Sequence, residues 1–509
     1  MAKDRVEKAS KSFIWMVVSF VIVSVIPFII RTIMISNLGE EYVGLNSFFM
    51  SILQILSVSE LGISDALIFF LYNPMVDCDQ KRVNQILCLY RKAYRIIGSV
   101  VLGIAAIFIP FLPYMIKGDI PVDINIYILY VVYIVDLMIS YFYKNYCLSI
   151  FQTNQSLYYR YKIESFVMIL VYGIQIFLII KFKNYYGYAF MIPIATILMN
   201  TATWLLARKH YPQYYPEGKL EKSFFREFWK KVSSMALMKL RDVFRFSLDS
   251  IVISAFLGLP LLAKYNNYYM LFSVGIMFMN LFSKSMLQSL GNSVASESIE
   301  SNRGVIKMYS FLLQLVILVL SAGFMCLCNM FITMWIGEKY TFPLSTVILF
   351  VITFYLLQIA SVSSLIRNST GIWSVGKWIP IAETAANLLF DIILVRYFAQ
   401  DGVLIGTIIS LALINIPFET SVVFREYFKE KPFRVLGDYL LNGFIAIGII
   451  YVCYRATSLF MPEVGIVAFV IKAVVCVVLS VILFALVHIR DSRLKDLVGI
   501  LRGLFLKKR

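Results

Sequence analysis

Lys239-Leu240-Arg241-Asp242-Val243-Phe244-Arg245-Phe246-Ser247-Leu248-Asp249 sits inside an apolar run from about Val232 to Leu259, long enough for one membrane-crossing helix. Charges beyond the headgroup zone are costly, so they normally face a bundle interior or a water-filled path. Arg241, Arg245 and Asp249 are four residues apart and share one helical face, with Asp242 one step off it. A polytopic protein with such a cationic stripe suits a polar or anionic solute. Counting back from an outer boundary near Leu259, at about 1.5 Å per residue, Arg245 lies roughly 20 Å inside. It is the better cavity candidate, while snorkelling to the inner headgroups stays open for both arginines and more so for Arg241.

Comparable apolar runs recur along the chain. The 509 residues are 60% hydrophobic and only 15% charged, with a mean hydropathy of +0.79, far from a soluble domain. The class is all-α polytopic membrane protein, because the runs are helix-length and lack the ten-residue alternation of a transmembrane barrel. About 14 transmembrane helices are expected, near 13–35, 43–72, 88–116, 124–150, 160–181, 187–207, 233–258, 265–291, 308–334, 343–366, 373–395, 403–424, 437–459 and 464–488. The third and seventh are the ones whose joining or splitting would change the parity.

The basic residues test that parity. With a cytosolic N-terminus, 33 of the 47 Lys and Arg fall in cytosolic tails, loops and span edges. The opposite side holds Arg31, Lys117, Lys181, Lys183, Lys264, Lys339, Arg396 and Arg455. That bias is what the positive-inside rule requires, so both termini are expected in the cytosol. The net charge of +17 thus reads as topology, with some attraction to anionic membrane lipids and no nucleic-acid patch. A basic start followed by an apolar run from Phe13, with no cleavage pattern, reads as an uncleaved first span.

The loops are short, which leaves no extramembrane domain for a separate active site. The longest, 208–231, carries His210-Tyr211-Pro212-Gln213-Tyr214-Tyr215-Pro216-Glu217-Gly218 and bisects the first twelve spans. The expected organisation is a six-helix lobe over 1–207, a linker over 208–231, a second six-helix lobe over 232–430, and two more helices with a basic tail over 431–509. A faint repeat agrees: Leu38-Gly39 before Tyr42, Asn46 and Phe48-Phe49-Met50 resembles Leu257-Gly258 before Tyr265, Asn266-Asn267 and Tyr268-Tyr269-Met270. Six intervening spans make such repeats parallel.

Enzyme chemistry finds little support. The seven cysteines are scattered without metal-ligand spacing, and two histidines leave little for a catalytic or metal site. No phosphate-cradling loop or nucleophile triad is present. No cofactor or metal is expected. The polar residues within spans carry the interest instead. Glu60, Asp136 and Glu383 are candidates for ion coupling or charge pairing, as are Asp242 and Asp249, with static interhelical bonds as the alternative. Asp65 reads as a helix-end contact, and Glu164 lies near the cytosolic start of span five. Asn280 and Lys284 lie in span eight, and Glu383, Asn387 and Asp391 in span eleven, where Glu383 and Asn387 are four apart and share a face.

Three segments carry a family resemblance. They are Leu38-Gly39-Glu40-Glu41-Tyr42-Val43-Gly44-Leu45-Asn46, then Leu56 to Leu67 with Phe70-Leu71-Tyr72-Asn73-Pro74, and Arg245-Phe246-Ser247-Leu248-Asp249-Ser250-Ile251-Val252-Ile253-Ser254. The chain resembles the bacterial polysaccharide/oligosaccharide flippases (Wzx-like), within the multidrug/oligosaccharidyl-lipid/polysaccharide exporter superfamily. The resemblance implies two six-helix lobes around a central cavity, used for alternating access in the bacterial cytoplasmic membrane. The implied cargo is an undecaprenyl-pyrophosphate-linked oligosaccharide, with polysaccharide polymerase and assembly proteins as possible partners and Na+ or H+ as a possible coupling ion. Arg31, Arg241, Arg245 and Lys284 would meet the pyrophosphate or acidic glycan, while Asn280 and Asn387 would line the cavity. Asp242 and Asp249 depart from a purely cationic surface. A cation-coupled multidrug or small-solute antiporter, and a non-transport membrane scaffold, are the other readings.

Overall fold

The computed structural model describes the chain outside residues 1, 58–62, 119, 155, 222–223, 225–227, 229–243, 245–246, 297, 371, 373–374, 461–464, 498 and 500–509. Two compact units make up the chain, Met1–Ala263 and Lys264–Arg509. Nine helices are long and apolar enough to cross a membrane among the described residues, or ten if one bent pair is a single span. Their outward faces are apolar: on the last helix Ile466, Val467 and Val470 are more than half exposed. Such a surface belongs in hydrocarbon, where helices satisfy every backbone group internally.

In the amino-terminal unit, α1 (Ala2–Asn37) packs along α7 (Tyr158–Phe182), which in turn packs on α8 (Tyr185–His210). Ser19 on α1 donates to Glu164 Oε2 on α7 at 2.6 Å, giving that carboxylate an interhelical partner. Helices α2 (Glu40–Ser57), α3 (Ile63–Val76), α4 (Gln80–Phe108) and α5 (Ile126–Phe142) complete the unit's core with the short α6 (Cys147–Thr153) and α9 (Ser247–Leu257). The starts of α4, α5 and α8 are capped by Asp79, Asn125 and Asn184, whose side-chain oxygens accept otherwise orphaned N–H groups. Gly44 lets α2 approach the backbone of Leu259, since a Cβ there would lie 2.3 Å from the Leu259 carbonyl oxygen.

The run expected as one span over 124–150 is broken. Helices α5 and α6 meet at 55°, with Lys144 in the left-handed region at φ 55°. Asn200 Nδ2 on α8 donates to the freed Tyr143 carbonyl at 2.9 Å, which is how a break at membrane depth is tolerated. Within the 208–231 stretch, Asn84 on α4 holds the backbone at Tyr215 and Glu217, while Gln80 donates to the Gln213 carbonyl.

In the carboxy-terminal unit, α10 (Leu259–Ser296), α11 (Ile299–Ile336) and α12 (Leu344–Thr370) meet through Phe272, Phe324, Phe350 and Phe354. Helix α13 (Ile379–Phe398) lies against α14 (Gln400–Ser410), which passes through a π-turn at Leu411–Asn415 into α15 (Ile416–Glu426). Helices α16 (Phe433–Phe460) and α17 (Ile466–Val487) pack on α11.

Candidate functional site

Among the described residues, the carboxy-terminal unit holds a concentrated buried polar site. Glu383, Asn387 and Asp391 recur every fourth residue of α13, so one stripe faces α14 and the π-turn. All three are at most 1% exposed. Asn387 Nδ2 donates to both Asp391 oxygens at 3.1 and 3.0 Å and lies 3.1 Å from Thr407 Oγ1. Asn415, the last residue of the π-turn, donates to Glu383 Oε2 at 2.5 Å. The π-turn explains that reach: one extra residue rotates Asn415 inward, a distortion common at functional sites.

Helices α13 and α14 pack closely at the site. A Cβ on Gly402 would lie 2.3 Å from the Leu394 carbonyl oxygen, and one on Gly406 would lie 2.2 Å from Asp391 Oδ1. This small-xxx-small spacing lets α13 and α14 approach closely in lipid. Both amide nitrogens are thus spent on carboxylates, while Asn387 Oδ1 and Asn415 Oδ1 are buried with no hydrogen-bond partner among the described residues. Buried carboxylates and orphaned amide oxygens make an all-oxygen acceptor set, suited to a hard cation or a proton. No group of three or more His, Cys, Asp and Glu arranged for a metal exists among the described residues, so amides and a hydroxyl would have to complete any cation shell.

One turn beyond, Arg367 and Glu419 form a buried pair. The guanidinium Nη1 contacts both Glu419 oxygens at 2.8 Å, and Nε donates to the Ile372 carbonyl at 2.8 Å. Nη2 donates to the Val375 carbonyl. Residues 1% and 2% exposed therefore tie the end of α12 and the α12–α13 connection to α15.

The amino-terminal unit arranges its polar groups differently. Arg31 on α1 is half-buried, donates from Nη2 to the Ala263 carbonyl at 3.0 Å, and lies near Tyr188. Tyr188 stacks on Tyr185 with ring centroids 5.6 Å apart, and Tyr185 sits 5.4 Å from Tyr42. The Tyr133 hydroxyl bonds Asn46 Oδ1 at 2.8 Å and the Tyr185 hydroxyl at 3.3 Å, while its ring stacks on Phe49. Three residues along α5, half-buried Asp136 accepts from Thr196 Oγ1 at 2.5 Å. Aromatic faces with hydroxyl and guanidinium donors beside them suit a hydroxylated anionic ligand.

The structure therefore keeps Glu383, Asn387 and Asp391 on one stripe, bonds Asn387 to Asp391 and Thr407 and Glu383 to Asn415, and so adds Thr407 and Asn415, which spacing alone does not join. Arg31 and Asp136 sit in the amino-terminal unit, where Asp249 is buried on α9 at 3% exposure. Asn280 is exposed on α10. Lys284 lies on the same helix, with its side-chain surroundings outside the description. Glu60, Arg241, Asp242 and Arg245 lie outside the described residues.

Residues 9–288, more than half of the chain, match the model of a family described as polysaccharide biosynthesis protein. The chain belongs to that family. It is a multi-pass, all-α membrane protein of the polysaccharide biosynthesis family. Its fold is similar to that of the lipid II flippase MurJ in an inward closed conformation, with a TM-score of 0.68 at 15% identity over 96% of this chain and 100% of the other. An inward-facing multidrug resistance MATE family transporter is also similar, with a TM-score of 0.59 at 13% identity over 80% of this chain and 97% of that one. A MOP superfamily transporter from Pyrococcus furiosus gives a TM-score of 0.52 at 14% identity, over 83% of this chain and 95% of its own. No curated protein sequence shows significant similarity. At these identities the likenesses establish the fold.

Proposed function

We propose that the protein flips an undecaprenyl-pyrophosphate-linked oligosaccharide from the inner to the outer leaflet by alternating access, for surface or capsular polysaccharide assembly. The observation that carries this reading is family membership over residues 9–288, joined to the transporter fold that spans nearly the whole chain. Two six-helix lobes and two further helices, fourteen spans in all with cytosolic termini, are the topology that the charge bias supports. Arg31 beside its tyrosines, with Arg241, Arg245 and Lys284, would meet the pyrophosphate and the first sugars, because guanidinium forks make paired charge-assisted bonds to phosphate.

Asn387, Asp391, Thr407, Glu383 and Asn415 would hold the coupling ion. A carboxylate buried this completely is costly when charged, so occupancy by a cation or a proton changes the energy of the helix packing around it. That supplies a differential free energy between two conformations, without which an ion cannot drive a transition.

The test is leaflet-resolved translocation of defined lipid-linked glycans in proteoliposomes, with Na+, K+ and pH gradients imposed separately. Arg241→Ala with Arg245→Ala is expected to slow flipping at least tenfold. Asp391→Asn is expected to abolish gradient dependence. No translocation by the unmutated protein across a broad glycan panel would overturn the flippase reading. Undiminished rates in the arginine variants would remove the arginine assignment, and a retained gradient response in Asp391→Asn would remove the ion site.

A further inference from the structure

Within the carboxy-terminal unit, at the ends of α11, α15 and α16 and the segment following α17, lies a cavity of about 440 Å³. That is within the roughly 300–1,000 Å³ typical of small-ligand pockets. It is separate from the α13–α15 carboxylate site and from the Arg31 cluster, and nothing in the transport reading uses it.

Its rim is cationic beyond what its own carboxylates neutralise. Arg303 is paired with Glu430, and Arg493 with Asp491 at 2.5 Å. Lys307, Lys431 and Arg434 also line the cavity, and among the described residues none has a carboxylate within 4.0 Å. Asp438 is the remaining acidic neighbour, so the unpaired set stays net positive.

The floor points to a ligand independently. Gln314, seven residues inward of Lys307 on the same face of α11, lines the cavity and is only 7% exposed, yet its Oε1 has no hydrogen-bond partner among the described residues. A buried amide oxygen without a donor is an uncommon state that a bound hydroxyl would relieve. Asn442 offers a second amide, and Ile306, Phe424 and Phe428 give the walls an apolar surface.

We infer that this cavity binds an anionic glycerophosphate group, its phosphate between Lys307, Lys431 and Arg434 and its hydroxyl on Gln314 Oε1. Basic pockets between helix ends are where anionic headgroups are recognised, and the apolar walls accommodate the adjoining lipid stem. The group has two sources, the headgroup of phosphatidylglycerol or a soluble glycerol phosphate.

Native mass spectrometry of the full chain, titrated with phosphatidylglycerol, phosphatidylcholine or glycerol 3-phosphate, tests the inference without any transport readout. Phosphatidylglycerol or glycerol 3-phosphate is expected to bind at least tenfold more tightly than phosphatidylcholine, and which of the two does so names the source. The triple variant Lys307→Ala, Lys431→Ala, Arg434→Ala is expected to lose about tenfold, and Gln314→Leu a smaller factor. Glu430→Gln frees Arg303 and is expected to tighten binding, a gain that misfolding cannot imitate. Equal binding of all three ligands, no binding of either glycerophosphate, or triple and Glu430→Gln variants both matching the unmutated protein would overturn it.

Discussion

The two units solve the same problem, polar groups in an apolar body, in opposite ways. Among the described residues of the amino-terminal unit, Asp249 is the one carboxylate or guanidinium group under 4% exposed, whereas the carboxy-terminal unit buries Arg367, Glu383, Asp391 and Glu419 to 2% or less. Arg31 and Asp136 stay half-buried, held by a carbonyl and a hydroxyl. A half-buried charge is still partly accessible from outside the packing. A fully buried one is bound to its own scaffold, and disturbing it changes how the helices pack. The contrast is between charges left on partly accessible helix faces in the first unit and charges enclosed within helix packing in the second.

The sharpest way to break this comparison is Arg367→Met. It would strand the Glu419 carboxylate, and loss of one partner of a buried pair costs about 3–5 kcal/mol. A large fall in the thermal unfolding midpoint is expected, with most of it restored when Glu419→Gln is added. An equal fall in the double variant would show that Arg367 acts through its carbonyl contacts instead.

Glycines give the next largest contrast. Gly406→Ala drives a methyl group into Asp391 Oδ1, and overpacking of this kind costs about 1–3 kcal/mol. Gly103→Ala in α4 meets nothing within 4 Å, so it is expected to be neutral or to stabilise by up to about 1 kcal/mol through helix propensity. Unfolding of the two variants side by side checks the pair, and equal effects would mean that the α13–α14 approach is not as tight as described.

Tyr133→Phe should cost less, about 1 kcal/mol, since it removes one hydroxyl shared between Asn46 and Tyr185 and keeps the ring on Phe49. A larger loss would show that the tyrosine cluster is as rigid as the carboxylate stripe.

The smallest expected effect lies outside the spans. The Arg493 side chain beside Asp491 holds that carboxyl below its ordinary range. A lowered folded-state value contributes stability that is present above the unfolded-state value and lost as pH falls through the folded one. Acid titration of the unfolding midpoint should therefore show a slight extra loss that is missing in Arg493→Met.

Much is legible in the sequence alone. Helix-length apolar runs disclosed the class, and the repeat of Glu383, Asn387 and Asp391 at every fourth position identified one face of α13. The segments around Leu38 and Arg245 resembled the family that the match over 9–288 now establishes. What stayed hidden was long-range. Thr407 and Asn415 read as ordinary polar residues of an apolar helix, and Arg367 and Glu419 stand 52 residues apart. The break at Lys144 was invisible because Tyr143-Lys144-Asn145-Tyr146 contains neither proline nor glycine, and the residue that heals it, Asn200, belongs to another helix.

The sequence by itself determined that this chain is a helical membrane protein, because hydrophobic runs and the spread of lysine and arginine are local quantities that water and lipid read directly. It also determined the family, through short segments that need no folding to be compared. Only the tertiary structure decided which polar residues act together. A buried carboxylate has meaning through its neighbours, and those neighbours come from other helices, brought close by glycines and by one π-turn. That is where Glu383, Asn387 and Asp391 ceased to be a stripe and became a site.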